Sequence, residues 1–374
     1  MTGRSRRLTS GVAAAVILAG AALPLAEDAV PDILARPGAL ALTLIAAALV
    51  ALGGWRNAGV PIALSLAGVV AGCAATLVLL EDPTIAGAAG LGFWAVVVGT
   101  WIAATLSTAR LAAIRPRTPA ARRALDLGVP LLFGAFMFYL CEVVVRGFGV
   151  PAVLMPAPSR VAMRFAAALR VLGEDFVQTF VRSVLAGYVI GCAAGFLAAV
   201  VADRIPFLGR GLLPLGNFVC AMPIVGIAPI MVMWFGFDWQ SKAAVVAVIT
   251  FFPMLVNTVT GLAAAGRAER DLMRSYGADY LQTLMKLRLP AAMPFVFNAL
   301  KINSTLALIG AIVAEFFGTP IVGMGFRISI EVARMSLDMV WAEILLAAIA
   351  GTAFYGLIAL IERGITFWHP SYRT

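Results

Sequence analysis

The sequence predicts an all-α protein, a polytopic transmembrane helical bundle, and three observations support this fold class. Hydrophobic residues make up 62% of the chain and charged residues 13%, whereas soluble domains are about half apolar and a quarter charged. Several apolar runs reach roughly 20 residues, the length of a helix that crosses about 30 Å of hydrocarbon. These runs lack the polar and apolar alternation of membrane β-barrel strands. Because backbone polar groups must find partners within lipid, the runs are predicted to be helices.

The N-terminal part of the chain contains the first predicted spans. A basic start, Gly3-Arg4-Ser5-Arg6-Arg7, precedes an apolar run over 11–26. Its short apolar core and small residues near Ala26 fit either a cleaved signal peptide or a retained first helix. We favour the retained helix, because a multi-span protein needs no cleavage. Three more spans are predicted at 39–54, 59–80 and 88–108.

A basic linker is the clearest domain boundary in the sequence. Residues 109–126 contain Arg115, Arg117 and Arg122 together with helix-breaking prolines. We therefore predict an N-terminal four-helix membrane extension over 1–108 and a core over 127–374. Six spans are predicted in the core, at 127–147, 176–201, 212–236, 242–264, 292–316 and 340–364.

The distribution of charge predicts the orientation of the chain. Ten spans place both termini on one side of the membrane, and the arginine-rich loops and linker fall on that same side. Because basic loops are retained inside the cell, both termini are predicted to be cytoplasmic in a bacterial plasma (inner) membrane. The net charge of +9 lies in short loops between spans, which does not suit a nucleic-acid partner.

Cysteine and histidine offer little for metal or catalytic chemistry. The sole histidine, His369, lies in the C-terminal tail. All four cysteines fall in apolar segments without the spacing of a disulfide or metal site, and are interpreted as small buried side chains: Cys73, Cys141, Cys192 and Cys220. We predict no metal site and no catalytic residue.

Residues 265–290 form the most informative segment. Charged residues come first, Gly277 follows, and an amphipathic stretch beginning at Leu281 ends at Leu289 and Pro290. The pattern predicts two short helices at the membrane surface, joined by a turn for which glycine supplies the backbone freedom. Pro290 is predicted to open the next membrane helix, where its missing amide donor costs nothing.

This segment resembles the cytoplasmic coupling loop of binding-protein-dependent ABC importer permeases. The signature of that family is Glu-Ala-Ala, three residues, Gly, nine residues, an aliphatic residue, one residue, then Leu-Pro. In this sequence nine residues separate Gly277 from Leu287, and Leu289-Pro290 completes the spacing. Asp271, Leu272 and Met273 occupy the Glu-Ala-Ala positions. The acidic residue is therefore present with a shorter side chain, and the two alanines are replaced by larger residues.

The resemblance implies a role for this loop. In the family, the helix around the glycine docks in a groove of the ATPase subunit and transmits its closure. The residues implied in ATPase coupling are Asp271, Tyr276, Gly277, Ala278, Leu281, Leu289 and Pro290. The alternative is an amphipathic surface loop that has no partner.

The resemblance extends from about Leu154 to the C-terminus and is greatest to the nitrate, sulfonate and taurine branch. The matching stretches are Leu154–Pro158, Met222–Pro229, Trp234–Gly236, Phe251–Thr258 and Ile312–Gly318. The tail, with Gly325–Ile328 and Thr366–Pro370, resembles that of family members whose solutes are heteroaromatic vitamin precursors. The implied fold is a type I ABC importer (MetI-like) permease core of about six helices, to which this chain adds about four N-terminal helices.

Polar residues within the spans are candidates for the translocation pathway, because such residues are costly in lipid. Asn298, Lys301 and Thr305 fall near one helix face at three- and four-residue spacing. The further candidates are Asn217, Pro223, Asn257 and Glu315. The structural alternatives are hydrogen bonds between helices, kinked packing at proline, and a Lys301 side chain that extends to the membrane surface.

Glu315 lies near the outer end of its predicted span. There it is expected to pair with Arg327 or Arg334 across the outer loop. The resemblance implies a positioning residue, and the alternative is an interfacial carboxylate in water.

The predicted function is that of the membrane-spanning permease subunit of an ATP-driven importer. No Gly-x4-Gly-Lys-Ser/Thr phosphate loop occurs in the sequence, so ATP and Mg are expected on a separate ATP-binding subunit. The other expected partners are an extracytoplasmic substrate-binding protein, a second permease copy in a homodimer, and the lipid bilayer. The expected solute is small, either a sulfonate- or nitrate-like anion or a heteroaromatic vitamin precursor.

Two other function classes compete with this one. An ion-coupled secondary transporter would carry a coupling carboxylate near mid-membrane and internal repeats, yet nearly all acidic residues lie at span ends. A membrane enzyme would require a convergent nucleophile, base or metal site, and none is evident. The chain is therefore not predicted to be an enzyme.

Overall fold

The computed structural model describes residues 3–26, 33–53, 59–116, 118–205, 207–208, 211–212, 214, 216, 222–318 and 321–368. Within these ranges, seven helices are long and apolar enough to cross a membrane. The other three predicted spans correspond to shorter apolar helices: Leu8–Ala22, Pro37–Gly53 and Ile224–Phe235. This confirms the polytopic helical fold. The chain divides into two compact units, Met1–Val161 and Ala162–Thr374.

The N-terminal unit is built from antiparallel helices. They are α1 (Gly3–Ala22), α2 (Pro37–Gly53), α3 (Gly59–Leu79), α4 (Leu91–Ala112) and α5 (Pro119–Gly147). At one end of the unit, Arg110 of α4 donates to the Gly53 carbonyl at 3.2 Å and to Ser10 Oγ at 2.7 Å. At the other end, Arg146 of α5 donates to the Leu80 carbonyl at 2.8 Å. Consecutive helices of this unit therefore run in opposite directions.

Most of the predicted basic linker is helical. Only residues 113–118 separate α4 from α5, because Thr118 caps α5 by accepting a hydrogen bond from the Ala121 amide, and Pro119 fits its first turn. The boundary between the compact units lies at Val161, so the predicted span 127–147 belongs to the first unit. Compactness groups residues by contact and not by role, so the functional boundaries at 108 and 127 remain a prediction.

The helices after α5 are α6 (Pro158–Ala167), α7 (Leu169–Phe176), α8 (Leu185–Arg204), α9 (Ile224–Phe235), α10 (Trp239–Ala263), α11 (Arg267–Ser275), α12 (Tyr280–Thr283), α13 (Leu289–Glu315), α14 (Met324–Ala333) and α15 (Leu337–Ile365). Two π-helical stretches, Val177–Val184 and Leu284–Arg288, join α7 to α8 and α12 to α13. As a result, Leu169–Arg204 and Tyr280–Glu315 each form one long helix. The core of the C-terminal unit, Ala162–Thr374, lies between α8, α10, α13 and α15. Tyr188, Val246, Phe297 and Ile358 pack together there.

Close approach of α8 to α10 depends on glycine. Gly187, Gly191 and Gly195 follow one another at four-residue spacing on a single face of α8. A Cβ atom at any of them would overlap a backbone oxygen of α10, at Ala243, Ala247 or Phe251 respectively. Small residues at this spacing let two membrane helices pack backbone to backbone.

Candidate functional site

The predicted turn in the 265–290 loop is a Schellman motif that ends α11. The Ala278 amide donates to the Met273 carbonyl at 3.0 Å, and the Gly277 amide donates to the Arg274 carbonyl at 2.9 Å. Gly277 has a φ of 70°, a left-handed conformation that glycine adopts without the steric cost of a Cβ. The chain can therefore reverse immediately after α11.

A capping box starts the second helix of the loop. The Gln282 amide donates to Asp279 Oδ1 at 2.6 Å, and the Asp279 amide donates to Gln282 Oε1 at 3.3 Å. The helix that begins here continues through the π-helical stretch into α13. Pro290 lies in the first turn of α13, as predicted, but it does not open the membrane helix, which has already started at Tyr280. The wider π turn accommodates the missing proline donor, because the Leu289 amide bonds to the Leu284 carbonyl.

A half-buried charge pair fastens the loop to the end of α8. Arg288 donates to the two carboxylate oxygens of Asp203 at 2.7 and 2.6 Å, and to the Leu262 carbonyl at 3.0 Å. The Tyr280 hydroxyl donates to the same carboxylate at 2.9 Å. The guanidinium carbon of Arg204 lies 4.4 Å from the centre of the Tyr280 ring, a cation–π distance. Two-point pairing of this kind fixes orientation as well as distance, so the loop has one defined position on the bundle.

The loop presents an apolar surface to solvent. We call its members, Leu272, Tyr276, Leu281 and Met285, the loop surface; Tyr276 is 81% exposed and Leu281 is 63% exposed. Beneath this surface, Leu284 is buried against Leu262 and Ala292. Large side chains exposed together at a membrane surface, above an anchored backbone, are typical of a protein–protein contact.

The predicted coupling residues divide into two groups. Asp271, Tyr276, Gly277 and Leu281 are exposed, and Asp271 pairs with Arg274 at 3.5 Å in solvent. Ala278, Leu289 and Pro290 are half-buried. Leu289 packs on the cluster below the loop. These three residues are therefore less accessible to a partner than the members of the loop surface.

The predicted pathway residues are only partly brought together. Asn298 Nδ2 donates to Asn257 Oδ1 at 3.5 Å, and Thr305 lies on the same exposed side of α13, where its hydroxyl donates to the Ile302 carbonyl. Lys301 instead forms an ion pair with Glu362 of α15, with Nζ 2.7 Å from Oε2. Pro223 immediately precedes α9. Asn217, Cys220 and His369 lie outside the described residues.

The expected pairing of Glu315 with Arg327 or Arg334 is wrong. Arg327 pairs with Asp175, and Arg334 pairs with Glu331. Glu315 is 2% exposed, so it is not an interfacial carboxylate in water either. It accepts hydrogen bonds from Thr179 Oγ1 and the Gly325 amide, each at 2.7 Å. The turn after α13 returns the chain over the helix end, and the backbone of that turn reaches Glu315 before any arginine does.

Asp175 is the second carboxylate of this buried network. It accepts hydrogen bonds from the Gly323 amide at 2.6 Å and from Arg327 Nε at 2.9 Å, while Thr179 also accepts from the Met324 amide. Burial lowers the pKa of Arg327, but its hydrogen bond to Asp175 and the carboxylate charges around it raise that pKa by more, so the net shift is upward. We call Asp175, Thr179, Glu315 and Arg327 the buried network.

Sequence reasoning missed Asp175, Asp203, Arg288 and Glu362. Charged side chains inside or at the end of a membrane helix have to be paired, and that rule alone identifies each of them as a residue in need of a partner. It does not name the partner: Asp203 and Arg288 are 85 residues apart in the chain. Only the packing of α8 against the loop brings those two together.

Comparison with known proteins gives consistent matches over the C-terminal part. Residues 191–367 match the family described as "Binding-protein-dependent transport system inner membrane component". The riboflavin transport system permease protein RibX of Chloroflexus aurantiacus is 30% identical over 248 residues, which is 66% of this chain and 91% of the relative. The formylaminopyrimidine transport permease protein ThiX of Halalkalibacterium halodurans is 30% identical over 243 residues, 64% of this chain and 95% of the relative.

The sulfonate relatives match at similar identity. The putative aliphatic sulfonates transport permease protein SsuC of Bacillus subtilis is 27% identical over 232 residues, 61% of this chain and 83% of the relative. The family match includes the 265–290 loop, α13 and α15.

Proposed function

The chain belongs to the binding-protein-dependent ABC importer permeases, and from that membership we propose that its 265–290 loop couples transport to ATP hydrolysis on a separate subunit. The protein is a multi-pass inner-membrane permease of the sulfonate and taurine branch. The family implies an ATP-binding subunit and a substrate-binding protein as partners. ATP and Mg would be bound on that subunit, not on this chain.

The loop surface is the observation that carries this proposal. Leu272, Tyr276, Leu281 and Met285 are exposed on a segment whose backbone is held by the Schellman turn, the capping box and the Asp203–Arg288 pair. Apolar and aromatic side chains on a preorganised backbone are efficient binding groups, because little conformational freedom is lost on association. A rigid connection from the loop into α13 is also what would carry motion from the ATPase into the membrane.

The exposed polar side of α13 supports a pathway shared by two copies of the chain. Asn298 and Thr305 place amide and hydroxyl groups on this side, and Asn257 of α10 accepts a hydrogen bond from Asn298 there. Polar groups within membrane spans face protein or a water-filled cavity, because lipid cannot satisfy them. A second permease copy, in a homodimer, would cover this side of α13 and enclose the solute pathway. The other pathway candidates, Pro223, Lys301 and Glu315, lie in the same C-terminal unit. The charge of Lys301 is neutralised there by its ion pair with Glu362.

The proposed transport cycle is alternating access. An extracytoplasmic binding protein delivers solute to the outer face, and closure of the ATP-bound subunits draws the two loops together and opens the pathway outward. Hydrolysis then resets it. The excess of arginine in the loops on the side of 265–290 supports an orientation with this loop and both termini in the cytoplasm.

The relatives suggest two solute classes. One relative is named for riboflavin and another for formylaminopyrimidine, while others are named for aliphatic sulfonates and taurine. We propose a small anion or a heteroaromatic vitamin precursor. The chain covers 91% and 95% of the two vitamin-related proteins, against 83% of the aliphatic sulfonates relative of Bacillus subtilis and 65% of the taurine relative, and this fuller coverage favours the heteroaromatic class.

Retention of the ATP-binding subunit tests the coupling proposal. The chain is purified in mild detergent with its co-expressed ATP-binding subunit, as wild type and as Tyr276→Ala with Leu281→Ala. Truncating two central contact residues typically costs more than about 1 kcal/mol each, so subunit retention should fall at least tenfold. The matched control is Leu131→Ala, an equally exposed leucine on α5.

Each result of this experiment is decisive. The proposal stands if the double variant loses the subunit and its ATPase activity while Leu131→Ala keeps both. It fails if a well-folded double variant retains the subunit as the wild type does. If the wild type itself purifies folded without any such subunit, ion-coupled secondary transport becomes the better hypothesis.

A further inference from the structure

A basic crevice lies in the N-terminal unit, where α4 ends and α5 begins. Its volume is about 610 Å³. Arg115 and Arg122 supply positive charge at its wall, and Asp126 is the acidic residue among those lining it. The apolar part of the wall includes Leu111, Ile114, Leu125 and Val129. The crevice therefore combines cationic and apolar groups in one space.

The position of the crevice places it at the level of the lipid headgroups. Two membrane-crossing helices, Leu91–Ala112 and Pro119–Gly147, meet at this corner, so it marks one face of the bilayer. Beyond the crevice, α5 presents a continuous exposed apolar side that includes Leu127, Leu131 and Phe138. An occupant of the crevice would thus have lipid-facing helix surface immediately next to it.

The two guanidinium groups are available to a ligand. Within the part of the chain that the structure describes, neither the Arg115 nor the Arg122 side chain forms an ion pair or a hydrogen bond. Both side chains are exposed. The neighbouring Arg110, in contrast, is engaged by Gly53 and Ser10. Unpaired arginines beside an apolar wall suit a ligand that is anionic at one end and apolar at the other.

We propose that this crevice binds the headgroup phosphate of an anionic phospholipid, with the acyl chains lying along α5. A guanidinium forms two parallel hydrogen bonds to phosphate oxygens, and the apolar wall accommodates the glycerol backbone. Basic pockets beside membrane helices are recognised sites for anionic headgroups. The site lies wholly in the N-terminal unit, in the predicted basic linker and the first turns of α5, so it gives this part of the chain a role in lipid binding that is independent of ATP coupling.

Lipid retention by arginine variants tests this site. The full chain is reconstituted in nanodiscs of equimolar phosphatidylglycerol and phosphatidylcholine, extracted in mild detergent, and its bound lipid is measured by native mass spectrometry. The wild type should retain phosphatidylglycerol in preference to phosphatidylcholine. Arg122→Gln should weaken retention about fivefold, and Arg115→Gln with Arg122→Gln roughly thirtyfold, because each change removes one charge-assisted contact to the phosphate.

Matched controls separate a site from general surface charge. Arg123→Gln removes the same charge at the next position, which does not line the crevice, and should leave retention unchanged. Arg115→Lys with Arg122→Lys keeps the charge but loses the two-point hydrogen bond, so its retention should fall between that of the wild type and that of the double glutamine variant. Equal loss in Arg123→Gln, equal retention of phosphatidylcholine, or an unaffected double glutamine variant would each overturn the proposal. Displacement of the lipid by an equal concentration of inorganic phosphate would overturn it as well, because the crevice would then recognise the ion alone.

Discussion

The two ends of α13 use the same kind of ion pair for different purposes. The helix is 27 residues long, so its ends lie about 40 Å apart at 1.5 Å per residue. At the loop end, Arg288 pairs with Asp203, and the same loop carries exposed apolar side chains. At the other end, Arg327 pairs with Asp175 among backbone amides, and Glu315 is enclosed beside them.

The difference lies in what each pair holds in place. The Asp203–Arg288 pair fixes a segment whose outward apolar side chains are exposed, and this suits docking of a partner. The buried network fixes the turn over Gly323–Gly325 through three backbone amides, and this suits holding one conformation. A membrane carboxylate near a helix end can therefore serve either purpose, and its neighbours decide which.

Removal of Asp175 should have the largest effect. Asp175→Ala leaves Arg327 and the Gly323 amide without their acceptor in a buried site, and loss of one partner of a buried pair costs about 3–5 kcal/mol. Thermal unfolding of the purified chain in detergent measures this. Glu174→Ala, one residue away in an exposed pair with Arg170, should change stability by less than about 1 kcal/mol. Equal losses would show that Asp175 is no more important than a surface carboxylate.

Removal of the loop anchor should have a smaller and more local effect. Asp203→Ala deletes the acceptor of Arg288 and Tyr280, at an expected cost of about 2 kcal/mol. Because only the loop depends on this pair, amide exchange over 280–288 should accelerate roughly thirtyfold, with little change in global unfolding. Asp271→Ala removes a solvent-exposed pair with Arg274 and is the control. A global loss of stability without faster loop exchange would contradict a local anchor.

Substitution of Gly277 isolates the turn itself. A Cβ here meets nothing within 4 Å, so Gly277→Ala should cost only the backbone penalty of the left-handed conformation, about 1–2 kcal/mol. Gly277→Asn should recover part of that loss, since asparagine tolerates this conformation. ATPase stimulation by the permease would follow the same order: glycine, asparagine, alanine. If the alanine and asparagine variants lose ATPase stimulation equally, the loss is caused by the added side chain next to the loop surface rather than by backbone strain.

The smallest effect is expected at a half-buried pair in the N-terminal unit, Arg36 with Asp82. Hydrogen bonds from Thr84, followed by the Arg36 guanidinium, lower the pKa of Asp82 to about 2. A depressed folded-state pKa stabilises the protein above the ordinary carboxyl value, and this contribution is lost as pH falls through about 2. The difference in melting temperature between wild type and Asp82→Asn should thus be greatest near neutral pH and shrink in acid. A difference that is constant with pH would exclude the carboxylate charge as its cause.

Sequence periodicity was sufficient for some elements and not for others. Apolar length located the spans, and the Gly277–Pro290 spacing located the loop, because both signals lie within one continuous stretch of chain. The same reasoning placed Lys301 with Asn298 and Thr305, although Lys301 is directed to Glu362 on α15. It also expected an arginine partner for Glu315, where backbone amides and Thr179 stand instead.

What the sequence by itself determined is thus the helical membrane fold, the loop and the family resemblance. Only the tertiary structure decided which charges meet, which loop residues face outward, and that Asp203 and Arg288 hold the loop in position. The physical reason is the distance along the chain over which each interaction acts. Hydrophobic length and turn chemistry act between neighbours in the chain, whereas an ion pair between α8 and the loop depends on how separate helices pack. That packing is set by features such as the close approach at Gly187, Gly191 and Gly195.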